Sequence, residues 1–245
     1  MDFLHLLLIF VVGIVVGFIN VIGAGGSFIT LAVLIAIGLP PTVANGTNRL
    51  NIFIQNIFAS VKFHKLKMLD YRFSLSVIIP LIIGSLAGTY IAVHTSNAVL
   101  KKIIAVLMIV VTTATIYNPK KSANRNIFQK NKLIKYTVFF FIGIYGGFIQ
   151  AGVGFFLIAA ALWSGFSMIE ANAIKVMSIT LYTALLLPIF IIYHQINFLI
   201  GIVIGMGSIV GAQLAISFSI KKGDKFIRAI LLLLLSIFAV KLFFF

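Results

Sequence analysis

The sequence predicts an all-α polytopic membrane protein made of two homologous four-segment repeats in inverted orientation, each opening with a Gly-broken helix. Three observations predict it. Of 245 residues, 62% are hydrophobic and 9% charged, and the mean hydropathy is +1.20. Soluble domains average roughly 45–50% apolar and 25% charged. Apolar stretches of about 17–25 residues, long enough to cross a bilayer core, recur along most of the chain. The two halves also share Gly and Asn residues at one fixed offset.

The apolar segments run 3–37, 42–61, 73–92, 99–117, 134–165, 170–193, 197–219 and 226–245. A transmembrane β-barrel would show short alternating segments instead. The first segment follows Met1-Asp2 with no basic region before it, so it is expected to be retained rather than cleaved as a signal peptide. The polar stretch 118–135 carries Lys120, Lys121, Arg125, Lys130, Lys132 and Lys135. It reads as a basic cytoplasmic linker between a first transmembrane repeat over 1–117 and a second over 136–245.

A shift of 127 residues brings Gly25 onto Gly152, Gly38 onto Gly165, Ala44-Asn45 onto Ala171-Asn172, and Gly84 onto Gly211. The same shift brings Asp70 onto Asn197, and both are expected to cap the helices that follow them. At a shift of 130, Gly17-Phe-Ile-Asn20 meets Gly147-Phe-Ile-Gln150. A duplicated unit of this kind is common among secondary transporters.

The basic residues choose between two orientations. If segments 3–37 and 134–165 each cross once, the copies are parallel, and Lys101, Lys102, Lys221, Lys222, Lys225 and Arg228 fall outside. If both segments enter, break at their glycines and return, the copies are inverted. Loops 62–72, 118–135 and 220–228 then all lie inside, and only Lys101 and Lys102 of the loop cations stay outside. The positive-inside rule favours the inverted arrangement, with arms of about 15–17 residues on each hairpin.

Irregular backbone at membrane depth survives only where it lines a protein cavity. The stretch Gly23-Ala-Gly-Gly-Ser27 and its counterpart Gly152-Val-Gly154 are therefore expected at the tips of two broken helices near the midplane. Helix N-termini there present free N–H groups to an anion. Close helix packing by small residues is the other reading of the glycines, suggested by Gly13/Gly17 and Gly84/Gly88.

The segment after each break opens unusually polar. The first reads Ala44-Asn45-Gly46-Thr47-Asn48-Arg49-Leu50-Asn51, then Gln55 and Asn56; the second reads Ala171-Asn172-Ala173-Ile174-Lys175, then Ser178 and Tyr182. Arg49 and Lys175 sit at nearly matching positions. A cation inside a membrane helix usually faces a cavity or partner, although both lie near enough to a helix start to snorkel. A cation pair beside two Gly tips describes a site for a small anion, with Arg as a fork and Lys as a point charge.

Absences narrow the function. The carboxylates are Asp2, Asp70, Glu170 and Asp224, all near segment ends, so no mid-membrane acidic relay or sodium cage is visible. Cysteine is absent, which excludes disulfides, thiolate metal sites and iron–sulfur clusters. No hydrolase, zinc-protease or nucleotide-binding motif occurs in a fitting context, so no enzyme and no cofactor are expected. The net charge of +15 lies mostly in loops and reads as orientation signal and contact with anionic lipid, with no nucleic-acid partner. The expected partners are a small anionic substrate and the lipid bilayer; nothing in the chain sets an oligomeric state. A scaffold or lipid-interacting role is the other class, and it would need no mid-membrane cations.

Gly17-Phe-Ile-Asn-Val-Ile-Gly-Ala-Gly-Gly-Ser-Phe-Ile-Thr-Leu31, Gly38-Leu-Pro-Pro-Thr-Val-Ala-Asn-Gly-Thr-Asn-Arg49 and Leu69-Asp70 resemble the TauE/SafE sulfite exporter family. So do Tyr145-Gly-Gly-Phe-Ile-Gln-Ala-Gly-Val-Gly154, Ala171-Asn-Ala-Ile-Lys175 and Gly207-Ser-Ile-Val-Gly-Ala-Gln-Leu-Ala215. The likeness spans essentially the whole chain. Two departures stand out: the usual unbroken Gly run is Gly23-Ala-Gly-Gly-Ser27 here, and the frequent Lys after Thr-Asn is Arg49. The resemblance implies a multi-pass permease of the inner or plasma membrane that exports sulfite, sulfonates or related organosulfur anions. Together the readings predict alternating access at a midplane site. The expected substrate-binding residues are Asn20, Gly25, Gly26, Asn45, Thr47, Asn48, Arg49, Gln150, Gly152, Gly154, Asn172 and Lys175.

Overall fold

The computed structural model describes residues 3–23, 25–104, 106 and 131–244, with side chains through Lys222. Positions 118–130 of the expected linker lie outside the described residues. Eight helices follow one another: α1 (Phe3–Gly23), α2 (Gly26–Ala36), α3 (Pro41–Lys65), α4 (Tyr71–His94), α5 (Lys132–Phe148), α6 (Val153–Trp163), α7 (Met168–Ile192) and α8 (Phe198–Phe244). Residues 97–104 are helical too, and the described residues contain no strand.

Among the described residues, four helical stretches are long and apolar enough to cross a membrane: Phe3–Ile22, Tyr71–His94, Met168–Ile192 and Phe198–Lys222. Helix α3 has the length, at 25 residues, but buries Asn45, Asn48, Arg49, Asn51, Gln55 and Asn56. Its polarity faces protein, not lipid. Helices α2 and α6 have 11 residues each, about 16 Å of helix and half of a ~30 Å core. The helices that precede them have 21 and 17 residues. The arms are therefore unequal, not matched at about 15–17, because the glycines stand nearer the C-terminal end of each apolar run.

The turns recur at the same offset as the glycines. Gly38 and Gly165, 127 apart, have φ of 95° and 97°. Lys67 and His194, also 127 apart, have φ of 56° and 54°. Asp70 Oδ1 accepts from Phe73 N at 2.8 Å, and Asn197 Oδ1 accepts from Ile200 N at 3.1 Å, so both expected caps are made. Ser167 and Glu170 form a capping box at the start of α7.

Glycines let two helix pairs meet backbone to backbone. In one seam Gly13 and Gly17 of α1 lie on Ile204 and Ser208 of α8, while Gly207 and Gly211 lie on Phe10 and Ile14. In the other, Gly84 and Gly88 of α4 lie on Phe140 and Ile144 of α5, while Gly143 and Gly147 lie on Leu81 and Ser85. A Cβ at Gly211 would run into the Ile14 carbonyl oxygen. Gly211→Val is accordingly expected to lower the thermal unfolding temperature in detergent by about 5–10 °C, an overpacking cost of about 3 kcal/mol. Gly205→Ala, which meets only Ile54 side-chain atoms, is expected to shift it far less.

Packing also fixes directions. At one end of the molecule, Gly46 near the start of α3 meets Phe190 and Gln195 at the end of α7. At the other end, Ala59 and Phe63 of α3 pack with Met168 and Ala171 at the start of α7. Helices α3 and α7 are thus antiparallel. Ile9 of α1 and Leu31 and Leu34 of α2 share one core with Ala44, Ile200 and Ile204 at the first end. Val21 and Ile22, between them in sequence, pack in the core at the second end. Phe139 of α5 packs with Val77 and Leu81 of α4, Ile149 and Ala151 join the first-end core, and Ile158 and Ala161 of α6 join the second-end core.

Candidate functional site

The helix breaks leave backbone groups that need partners. The carbonyls ending α5 are met by α3, across the two halves. Arg49 Nη1 donates to Gly146 O at 3.0 Å and Nη2 to Gly147 O at 2.5 Å. Asn45 Nδ2 donates to Phe148 O at 3.0 Å, and Thr89 Oγ1 donates to Gly147 O at 3.1 Å. The guanidinium also lies 4.5 Å from the centre of the Phe190 ring. The carbonyls ending α1 are met by α7 in the same way. Lys175 Nζ donates to Asn20 O at 2.8 Å and Val21 O at 3.3 Å, and Asn172 Nδ2 donates to Val21 O. Each cation thus stands at the negative end of the other half's broken helix, where the macrodipole favours it.

The opposite, amide ends of α2 and α6 face a buried cavity of about 20 Å³. Asn20, Ser27, Gln55, Asn56 and Lys175 form one part of its wall. Gln150, Val153 and Gly154 come from the second break, and Ile52 and Ile179 close the floor with apolar surface. Asn20 organises the first break. Its Oδ1 accepts from Ser27 N at 2.9 Å, its Nδ2 donates to Gln55 Oε1 at 3.3 Å, and its carbonyl holds Lys175. Gln55 Nε2 in turn donates to Asn56 Oδ1 at 3.2 Å. Across the cavity Gln150 Nε2 donates to Thr183 Oγ1 at 3.0 Å, leaving its Oε1 without a partner.

Of the residues expected from sequence, Asn20, Gln150, Gly154 and Lys175 line this cavity. Gly25 caps α2 and Gly26 opens it; a Cβ at Gly26 would strike the Asn20 side chain. Gly152, at φ 80°, lies under the Phe28 ring. Asn45, Arg49 and Asn172 bind the break carbonyls from outside the cavity wall. Thr47 lies apart, its Oγ1 accepting from Asn197 N at 2.9 Å. Asn48 is buried without a partner. Sequence reasoning did not place Ser27, Ile52, Gln55, Asn56, Val153 or Ile179 in the site. Three signals were available: Gln55 shares a helix face with Asn48, Ile52 meets Ile179 at the 127-residue shift, and Ser27 meets Gly154.

The electrostatics follow from this division. Cations cover the carbonyl ends of the long helices, and the amide ends of the short ones turn to the cavity. Lys175 has three N–H donors and spends two on carbonyls, so one remains. The described carboxylates in helices or at their caps, Asp70 and Glu170, sit at helix starts and bond to backbone amides.

Among the described residues, an all-helical chain with four stretches long and apolar enough to span a bilayer has the build of a polytopic membrane protein. The family model described as Sulfite exporter TauE/SafE matches residues 9–242, and the chain belongs to that family. A probable membrane transporter protein of Haemophilus influenzae is 30% identical over 236 residues, covering 94% of this chain and 91% of its own. The probable membrane transporter protein YfcA of Escherichia coli is 26% identical over 241 residues, covering 96% and 88%. A probable membrane transporter protein of Methanocaldococcus jannaschii is 29% identical over 164 residues, covering 62% and 60%. No solved structure matches the chain significantly. The protein is a multi-pass membrane transporter and not an enzyme.

Proposed function

We propose that the protein moves a small anion, such as sulfite, a sulfonate or a related organosulfur or carboxylate anion, by alternating access at the cavity between the two breaks. One observation carries this reading. Lys175 and the N-termini of α2 and α6 converge on a buried cavity whose described wall contains no carboxylate. Such a wall favours negative charge. The residues assigned to cargo contact are Lys175, Asn20, Gln150, Ser27 and Gln55. Arg49 is assigned a positioning role, because it lies outside the cavity wall and both of its Nη groups donate to α5 carbonyls.

The cavity is large enough for about one water. An anion with three oxygens needs more room, so the breaks must part to admit it. Inverted repeats supply such a motion. The recurring turns and caps, the antiparallel α3 and α7, and the return of α2 and α6 to opposite ends support that architecture. Lys62, Lys65, Lys67, Arg72, Lys132, Lys135, Lys221 and Lys222 belong to the second end, against Lys101 and Lys102 at the first. The second end is therefore assigned to the cytoplasm.

The test is uptake into proteoliposomes of labelled sulfite, taurine and rubidium. Uptake of one or both anions without rubidium is the expected result. Rubidium uptake, or no anion flux from correctly inserted protein, would overturn the reading.

A further inference from the structure

Ala44, Asn48, Asn51 and Gln55 lie on one face of α3. Gln55 is in the cavity wall, and Ala44 packs with Phe28, Ile149 and Ala151 at the first end. Asn48 and Asn51 fill the stretch between. Both are 0% exposed, and neither amide has a partner for its Nδ2 or its Oδ1. On the antiparallel α7, Ser178 and Tyr182 follow Lys175 toward that same end; the Ser178 hydroxyl is buried without a partner, and the buried Tyr182 hydroxyl lies beside Gln150 and Thr183. An unpaired buried polar atom costs about 1–3 kcal/mol. Five such atoms in one zone require an explanation.

Phe28 closes this zone. It is 4% exposed, and its ring lies on the α5–α6 break: a Cβ at Gly152 would sit 2.9 Å from Cε2 and Cζ. Phe155, which stands 127 residues on, is only half-buried.

We propose that Asn48, Asn51, Ser178 and Tyr182 line the passage from the cavity to the first end, and that Phe28 is its gate. When the ring leaves Gly152, amide N–H and hydroxyl O–H groups face the passage and accompany the anion as neutral donors. Arg49 is not needed there, being held by Gly146 and Gly147. The passage rests on the transport reading above.

The natural absence of cysteine makes the test clean. Asn48→Cys, Asn51→Cys and, in the cavity wall, Ser27→Cys are introduced singly into the full chain in proteoliposomes. Impermeant methanethiosulfonates, one carrying a sulfonate and one a quaternary ammonium, are added on the side of the first end. The sulfonate reagent is expected to modify both Asn positions slowly, and about tenfold faster with Phe28→Ala, as when a minor open state becomes the major one. The cationic reagent is expected to be slower at both. Phe28→Leu, kinder to folding, is expected to fall between. Sulfite exchange is measured in the same vesicles. No modification at either position in either Phe28 variant, with exchange intact, would overturn the passage. Equal rates for the two reagents would overturn its anion selectivity. Modification without exchange of any anion would uphold the passage and sink the transport reading.

Discussion

Lys175→Gln is expected to abolish sulfite exchange in proteoliposomes while leaving the protein inserted and folded. Lys175 is 3% exposed, and its ammonium reaches the carbonyls of Asn20 and Val21 beside the cavity that the residue lines. Glutamine keeps much of its length and can still donate to a carbonyl, so the end of α1 retains a partner. It loses the charge that meets the cargo. A hydrogen bond to a charged group is worth about 1.5–3 kcal/mol, and about 3 kcal/mol is roughly a hundredfold in affinity. Exchange at low sulfite should fall by that order, with the melting temperature in detergent shifting little. Lys175→Arg should keep part of the exchange, because it keeps the charge. Undiminished exchange by Lys175→Gln would show that the cargo is met elsewhere.

Arg49→Leu is expected to fail differently, through stability. The guanidinium is fully buried, holds the Gly146 and Gly147 carbonyls and stacks on Phe190. Its loss leaves Gly146 O without this partner and Gly147 O with Thr89 alone, and each hydrogen bond to a charged group is worth about 1.5–3 kcal/mol. Melting in detergent should fall by about 10 °C. The exchange that survives should scale with the folded protein, and its KM for sulfite should match the wild type. Arg49→Lys should recover only part of the stability, since a point charge cannot span two carbonyls as a fork does. A raised KM in Arg49→Lys at unchanged stability would instead make Arg49 a cargo ligand.

These two cations show what the sequence could and could not disclose. Their near-equivalent positions beside the glycine runs were legible from spacing alone; their depth was not, since both lie near enough to a helix start to snorkel. Most of the helices, the caps of Asp70 and Asn197, and the close packing of Gly13, Gly17, Gly84 and Gly88 were legible too; the expected loop 220–228 was not there, because segments 197–219 and 226–245 join in the single helix Phe198–Phe244. What each cation touches was not legible. Arg49 reaches carbonyls 97 residues away, and that depends on how α3 crosses α5, which no local pattern encodes. The same holds for Gln55: its helical register with Asn48 was visible, but its bond to Asn20 depends on how α1 ends. Ser27 entered the wall because Asn20 turns back to cap it, a tertiary consequence of the break. The unequal arms followed from where the glycines stand, and only the turns at Gly38 and Gly165 settle where the short arms stop.

The most direct test of the central claim is protection of Ser27→Cys by cargo. Ser27 lies in the cavity wall beside Asn20 and the N-terminus of α2. Sulfite should slow its modification by a small thiol reagent in a saturable way, and Lys175→Gln should remove the protection. Modification at full speed in saturating sulfite, by protein that still exchanges sulfite, would place the cargo outside this cavity and contradict the account.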